Sequence, residues 1–274
     1  MAAEFVKRYL NIEDKVFLVT GGAVGVGAGI VRGLLAENAR HVAFLDILDR
    51  EGSKLEYELI LEFGALRAKF IKCDVSDENQ LSDAYHQVVD KYRRLDGVIN
   101  NAAVLSDDEK LYKKMIDVNF SAVVNSTTKA VQVMAKDQGG GGGIVLNISS
   151  LLALHIGPHL PVYAATKTAV LQYSIAIGVR EKYFNRGVRV VTVCLGPTDT
   201  AILNRRNSEH FNEKSAEKIM SRASVRQRVE SAVTGIMDVI EKGKSGGTWI
   251  VKNDQPAHEY TEQISVAFNV LSEN

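Results

Sequence analysis

The chain has 274 residues, with 33 lysines and arginines balancing 33 aspartates and glutamates, and an isoelectric point near 7. That neutrality gives no electrostatic footprint for nucleic acid or an anionic membrane. Only two cysteines occur, Cys73 and Cys194, both in apolar runs, so core packing is expected rather than a disulfide framework, and the six histidines show no metal-ligand spacing.

Met1 to Leu10 mixes Glu4, Lys7 and Arg8 with apolar residues and reads as no signal peptide; a short surface helix covering Phe5, Tyr9 and Leu10 is one option. No run of eighteen apolar residues exists, so no membrane span is expected, and a soluble cytoplasmic protein follows. Residues 1–274 form a single expected domain, with an N-terminal extension over 1–13.

Val16-Phe-Leu-Val-Thr20 predicts a strand running into Gly21-Gly-Ala-Val-Gly-Val-Gly27 and then an amphipathic segment, Ile30 to Leu35. Strand, glycine turn, helix is an anion cradle. Glycine lets backbone approach a pyrophosphate, and the unpaired amides and dipole of the new helix favour negative charge. Gly21, Gly25 and Gly27 carry that role, although their spacing departs from the commoner dinucleotide pattern.

The next predicted strand, His41 to Asp46, ends in a carboxylate nineteen residues after Gly27. An acid there accepts ribose hydroxyls and repels a 2′-phosphate, and neither Ile47 nor Leu48 offers a cation to bind one, so NAD is expected rather than NADP. Capping of the helix starting near Arg50 is a compatible second role for Asp46.

Further strands are expected near 67–72, 96–100, 143–149, 188–194 and 248–252, with long helices over 109–136 and 161–184; Gly139 to Gly143 reads as a flexible loop. Alternation of this kind predicts an α/β, Rossmann-type doubly wound fold: a seven-stranded parallel sheet with helices on both faces and the cleft at its carboxyl edge.

Strand five ends at Ser150, and thirteen residues on stand Tyr163 and Lys167, four apart in an apolar helical stretch. Residues at i and i+4 share a helix face, so the Lys167 ammonium sits beside the Tyr163 phenol and is expected to lower its pKa toward that of a general base. Ser150 hydrogen-bonds the reacting oxygen. Leu151, Leu152, Leu154, Ile156 and Leu160 flank this pair and favour a hydrophobic alcohol; His159 is either a polar substrate contact or simply solvated. Residues 198–222 are polar and either cover the substrate or form a solvated hairpin, and the tail 255–274 extends past the last strand.

From Asp14 to Asp254 the chain resembles the short-chain dehydrogenase/reductase family, through Thr20-Gly-x-x-x-Gly-x-Gly27, Asp74-Val75, Asn100-Asn-Ala-Ala103, Asn119, Ser150, Tyr163 and Lys167. Within it, Cys194 to Leu203 and Gly247 to Lys252 look closest to 15-hydroxyprostaglandin dehydrogenases and insect-type alcohol dehydrogenases. The resemblance implies cofactor contacts from Gly21, Gly25, Val26, Gly27, Asp46, Ile47, Asp74, Val75, Asn101, Ala102, Tyr163, Lys167, Gly196, Thr198 and Thr200. It places the adenine at Asp74 and Val75, the carboxamide at Thr200, and a proton-relay water on the backbone of Asn119. Substrate contacts are expected from Ser150, Leu152, His159, Leu160 and Tyr163. Two departures stand out: Ala103 where glycine is usual, and Leu195-Gly196-Pro197 after strand six. Leu160 replaces a glutamine of the prostaglandin enzymes, which speaks against a prostaglandin substrate.

The function implied is NAD-dependent hydride transfer from a hydrophobic secondary or primary alcohol, with Asn119, Ser150, Tyr163 and Lys167 as the catalytic set. The alternatives are an NADH-dependent reductase of a lipid, steroid or terpenoid ketone, and a catalytically silent nucleotide sensor. A homodimer or homotetramer is implied too, with Val123, Val131, Val170 and Ile177 compatible with an interface or with packing on the sheet.

Overall fold

The computed structural model describes residues 8–106, 108–180, 186–203 and 226–272. Seven parallel strands and one short antiparallel strand form a single sheet in the order β3-β2-β1-β4-β5-β6-β7-β8. They are β1 (Val16–Thr20), β2 (His41–Asp46), β3 (Ala68–Lys72), β4 (Gly97–Asn100), β5 (Gly143–Ser150), β6 (Val188–Leu195), β7 (Thr248–Val251) and β8 (His258–Glu259). The doubly wound order reverses between β1 and β4, and the eighth strand, too short to leave a pattern, is the one addition to the expected sheet.

Both faces of the sheet are covered. Phe17 and Val19 of β1 point toward α1 (Gly25–Ala36) and α7 (Val229–Lys242), meeting Ile30, Leu34, Ile236 and Val239. Val16 and Leu18 point the other way, toward α3 (Glu78–Tyr92), α5 (Ala122–Met134) and α6 (Pro161–Gly178). A strand buried on both sides must be apolar throughout, which is why β1 reads Val-Phe-Leu-Val-Thr without alternation. The helix α2 (Asp49–Phe63) packs on β3 beside β2.

The helix expected over 109–136 is broken. A 3₁₀ turn, Glu109–Leu111, leads into α4 (Tyr112–Ile116); a π turn spans Asp117–Ser121, where the Ala122 amide reaches back five residues to the Asp117 carbonyl; only then does α5 begin. The second long helix is α6, Pro161–Gly178, opened by proline at its first turn; residues 181–185 of the expected span lie outside the described residues. Val123, Val131, Val170 and Ile177 are all buried within the chain, between 0% and 9% exposed, so they pack inside the subunit and offer no interface.

Tyr9 and Leu10 are not helical: their amides donate to the Glu241 carbonyl, and the Tyr9 ring stacks on Arg189. Phe5 lies outside the described residues, as do 204–222 of the segment expected to cover the substrate. The tail forms β8 and α8 (Thr261–Ser272). Cys73 and Cys194 are free and buried. Among the described residues, no helix is long and apolar enough to cross a membrane.

Candidate active site

A cleft of about 950 Å³ opens at the carboxyl edge of the sheet. The residues expected to contact cofactor or substrate line it, from Gly21 at one end to Thr200 and Leu160 at the other; Asn119 does not, and of the leucines and isoleucine expected to wall the pocket, Leu154 and Ile156 point to solvent instead.

The glycine turn is built by sterics. Gly21 and Gly25 have φ of +63° and +57°, a region glycine enters freely. Gly27 is helical, but a Cβ on it would fall 1.9 Å from the Gly21 carbonyl oxygen. Helix α1 has no side-chain cap and no acid in its first turn, so its leading amides are left for an anion. The turn is braced from β4: the Asn101 side-chain amide donates to the carbonyls of Thr20 and Gly21 at 3.1 and 3.0 Å, and the Thr20 hydroxyl accepts from the amides of Asn101 and Ala102. Thr20 was not singled out from the sequence, although a hydroxyl ending an otherwise apolar strand was the available signal.

Asp46 stands at the end of β2. One carboxylate oxygen accepts from the Ala23 amide at 3.0 Å and the other from the Leu48 amide at 3.1 Å. It does not cap α2, whose N-cap is Leu48 with no side-chain bond. Asp74 accepts from the amide and hydroxyl of Ser76, with Val75 beside it. At the far end, Thr198 donates its hydroxyl to the Gly196 carbonyl and receives the Gln227 side-chain amide, which fixes the loop after β6.

Ser150 accepts from the Leu152 amide at 3.2 Å, and its hydroxyl faces the Tyr163 phenol across the cleft. Lys167 is 2% exposed; its ammonium lies 5.7 Å from the Tyr163 ring centre and donates to the Ile148 carbonyl at 2.9 Å. Burial pushes the Tyr163 phenol up to about 12, against a smaller lowering by Ser150, and pushes Lys167 down to about 8. The expected lowering of the phenol by Lys167 is therefore not realised. Desolvation dominates at both groups, because each loses the water that stabilises its charged form. Behind Lys167, burial likewise raises the Cys194 thiol to about 12, keeping it neutral and inert.

Asn119 is fully buried in the π turn. Its side chain clasps Val104, accepting from that amide at 2.7 Å and donating to the carbonyl at 2.9 Å, and reaches the Thr166 hydroxyl. It thereby ties the loop after β4 to the helix carrying Tyr163. The cleft also includes Val104, Leu105, Lys114, Val118, His155 and Lys252, which sequence reasoning passed over; Lys114 and Val118, one helical turn apart, were detectable as a pair.

A doubly wound sheet with a glycine-rich anion cradle and, at one edge, a Ser-Tyr-Lys trio whose lysine is buried defines a dinucleotide-dependent oxidoreductase. The chain belongs to the short chain dehydrogenase family, whose family model matches residues 15–210. It is 36% identical over 194 residues to 15-hydroxyprostaglandin dehydrogenase [NAD(+)] of Homo sapiens, covering 71% of this chain and 72% of that one. It is 29% identical over 248 residues to alcohol dehydrogenase 2 of Ceratitis capitata, covering 88% and 92%. Among solved structures, levodione reductase matches with a TM-score of 0.75 at 20% identity, covering 88% of this chain and 97% of the other. A 3-ketoacyl-(acyl-carrier-protein) reductase from Brucella melitensis complexed with NADH matches at 0.74 and 20%, covering 88% and 98%. At that identity the likeness is one of fold.

Proposed function

We propose that the protein is an NAD-dependent dehydrogenase that oxidises a hydrophobic alcohol. The observation that carries this reading is the convergence of Ser150, Tyr163 and Lys167 on one cleft with the uncapped glycine turn and Asp46. The residues fit the dinucleotide: the backbone passes where no Cβ fits, helix amides point at the pyrophosphate position, and a carboxylate stands where ribose hydroxyls are bound. The human and insect relatives, named as an NAD(+) hydroxyprostaglandin dehydrogenase and an alcohol dehydrogenase, support both the cofactor and the reaction class.

NAD, when bound, supplies the carbon that accepts the hydride and, oxidised, a positive charge. Gly21, Gly25, Val26 and Gly27 would hold the pyrophosphate, Asp46 and Ile47 would flank the adenosine ribose, Asp74, Val75, Asn101 and Ala102 would border the base, and Gly196, Thr198 and Thr200 would line the nicotinamide end. Ser150, fixed by the Leu152 amide, donates to the substrate oxygen. Tyr163 takes the hydroxyl proton at its phenolic oxygen. Its pKa starts high, so it works as a base only with cations close by, and Lys167, titrating near 8, is charged at neutral pH to serve as one. Lys167 passes the proton toward the Asn119 turn. Leu152 and Leu160 exclude water from the reacting atoms, and His159 lines the same cleft.

The test is NADH fluorescence with a panel of aliphatic, terpenoid and steroid alcohols, run on the wild type and Tyr163→Phe. The variant is expected to bind NADH normally and lose about 1,000-fold in kcat. A variant with near-native turnover overturns the reading; wild-type NADH binding with no turnover on any alcohol favours the silent sensor.

A further inference from the structure

We infer that Gln227, which does not itself line the cleft, positions Thr198 for the carboxamide of the nicotinamide and so sets the affinity for that half of the dinucleotide. The inference rests on the dehydrogenase reading above and adds a positioning residue behind the same site.

Gln227 stands one residue before Arg228, the N-cap of α7, and is 1% exposed. Its backbone pairs with the loop that follows β6. The Gln227 amide donates to the Pro197 carbonyl at 2.9 Å, and the Gln227 carbonyl accepts from the Asp199 amide at 3.0 Å, which makes a parallel bridge between Thr198 and Gln227. In such a bridge the residues on either side of Thr198 make both bonds, so the N–H and C=O of Thr198 itself are turned away from Gln227. Thr198 lines the cleft. It is therefore gripped from behind.

The side chain completes the grip. Nε2 of Gln227 donates to the Thr198 hydroxyl at 3.1 Å and to the Val251 carbonyl at 3.1 Å. A backbone carbonyl only accepts, so the bond to Val251 fixes which end of the side-chain amide is nitrogen. The Thr198 hydroxyl must then accept from Gln227 and give its one proton to the Gly196 carbonyl, at 3.0 Å. The Val251 carbonyl also accepts from the Gly196 amide at 2.8 Å. The loop after β6, the end of β7 and the approach to α7 thus meet at one buried primary amide. Its Oε1 has no hydrogen-bond partner among the described residues, so the N–H₂ end carries the function.

The loop held in this way reaches the glycine turn. A Cβ on Gly25 would lie 3.2 Å from Cγ2 of Thr200, and the Thr200 hydroxyl donates to the Thr198 carbonyl at 3.4 Å. Groups fixed before a ligand arrives do not have to be ordered on binding, which favours affinity. The adenosine end is braced by other residues: Asn101 holds the glycine turn, and the Ala23 and Leu48 amides hold Asp46. Loss of the Gln227 amide should therefore loosen one half of the site and spare the other.

The test is calorimetric titration of the full-length protein with NADH and with ADP-ribose, which lacks the nicotinamide. The wild type is expected to bind NADH more tightly. Gln227→Met keeps an unbranched side chain of similar length without its hydrogen bonds; it should weaken NADH about tenfold, the ratio one neutral hydrogen bond gives, and leave ADP-ribose within about twofold. Thr198→Val should weaken NADH too, and the double variant should lose no more than the larger single loss, because both substitutions break the same contact. Arg228→Gln is the matched control, since it removes the ion pair to Asp254 from the same segment without touching Thr198, and both ligands should bind it as they bind the wild type. Unchanged NADH affinity in Gln227→Met overturns the inference. So does equal weakening of NADH and ADP-ribose, the result of a merely structural role, and so do additive losses in the double variant or a selective NADH loss in Arg228→Gln. Equal affinity of the wild type for the two ligands overturns it as well. A wild type that binds neither would instead overturn the dehydrogenase reading.

Discussion

Replacing Lys167 with methionine is expected to make the cofactor-free protein more stable while removing its activity. The ammonium is 2% exposed, and its one described hydrogen bond goes to the Ile148 carbonyl. Burial lowers its pKa from an ordinary 10.5 to about 8, which at ~1.36 kcal/mol per pH unit leaves the charged form about 3 kcal/mol worse off in the folded chain. At pH 7, below both values, that penalty is present in full. Methionine fills similar space without charge, but leaves the Ile148 carbonyl short of a donor, worth about 1 kcal/mol. The net gain is about 2 kcal/mol, or a rise of about 4–8 °C in Tm for a chain of this size.

The pH dependence has a definite sign. The unfolded lysine keeps its proton up to 10.5 while the folded one loses it near 8, so between those values the unfolded state binds more protons and this group's contribution to wild-type stability rises with pH. The advantage of Lys167→Met is therefore largest at pH 7 and falls by about 1.4 kcal/mol for each pH unit above 8. Cys194, which Lys167 lowers slightly, is held up to about 12 by burial and stays neutral in the folded wild type across this range, so Lys167 carries the difference. Thermal unfolding of both proteins without nucleotide, at pH 7 and pH 9, measures it. A variant that melts below the wild type at pH 7, or an advantage equal at both pH values, would refute the argument that desolvation dominates Lys167.

Two other substitutions test the cofactor end. Asp46→Ala removes the carboxylate that repels a 2′-phosphate, so NADPH should bind at least about tenfold tighter and NADH about tenfold weaker in fluorescence titrations; an unchanged ratio would mean that the carboxylate does not discriminate. Gly27→Ala sets a methyl 1.9 Å from the Gly21 carbonyl oxygen and must open the turn, so NADH affinity should fall by more than about tenfold, whereas Gly141→Ala, with nothing within 4 Å, should bind normally. Equal NADH affinity in the two variants would mean that the turn tolerates the methyl.

Much of the fold was legible because a parallel sheet covered on both faces forces near-continuous apolar runs, such as Val16 to Val19 of β1 and Val42 to Leu45 of β2. The two-residue β8 forms no run, and its pairing with β7 depends on where the chain turns after Val251. The break at Asp117–Ser121 was hidden for a different reason: Asp-Val-Asn-Phe-Ser keeps helical spacing, and a π turn changes the hydrogen-bond partner without changing the pattern of apolar residues. That break carries Asn119, whose identity was readable but whose grip on Val104 was not.

The cleft divides along the same line. Spacing alone brings Lys167 beside Tyr163, since i and i+4 share a face. It says nothing of how much water each group loses, and desolvation depends on α6 lying against β5 and β6. Lys114 is the converse case. In sequence it is an ordinary solvated lysine of Lys113-Lys114, and only the fold shows that it, and not Lys113, lines the cleft. Proximity was thus inherited from the helix, while protonation state and specificity were fixed by which surfaces the sheet brings together. The Lys167 prediction therefore turns on a charge that burial opposes, which only the packing of α6 on the sheet creates.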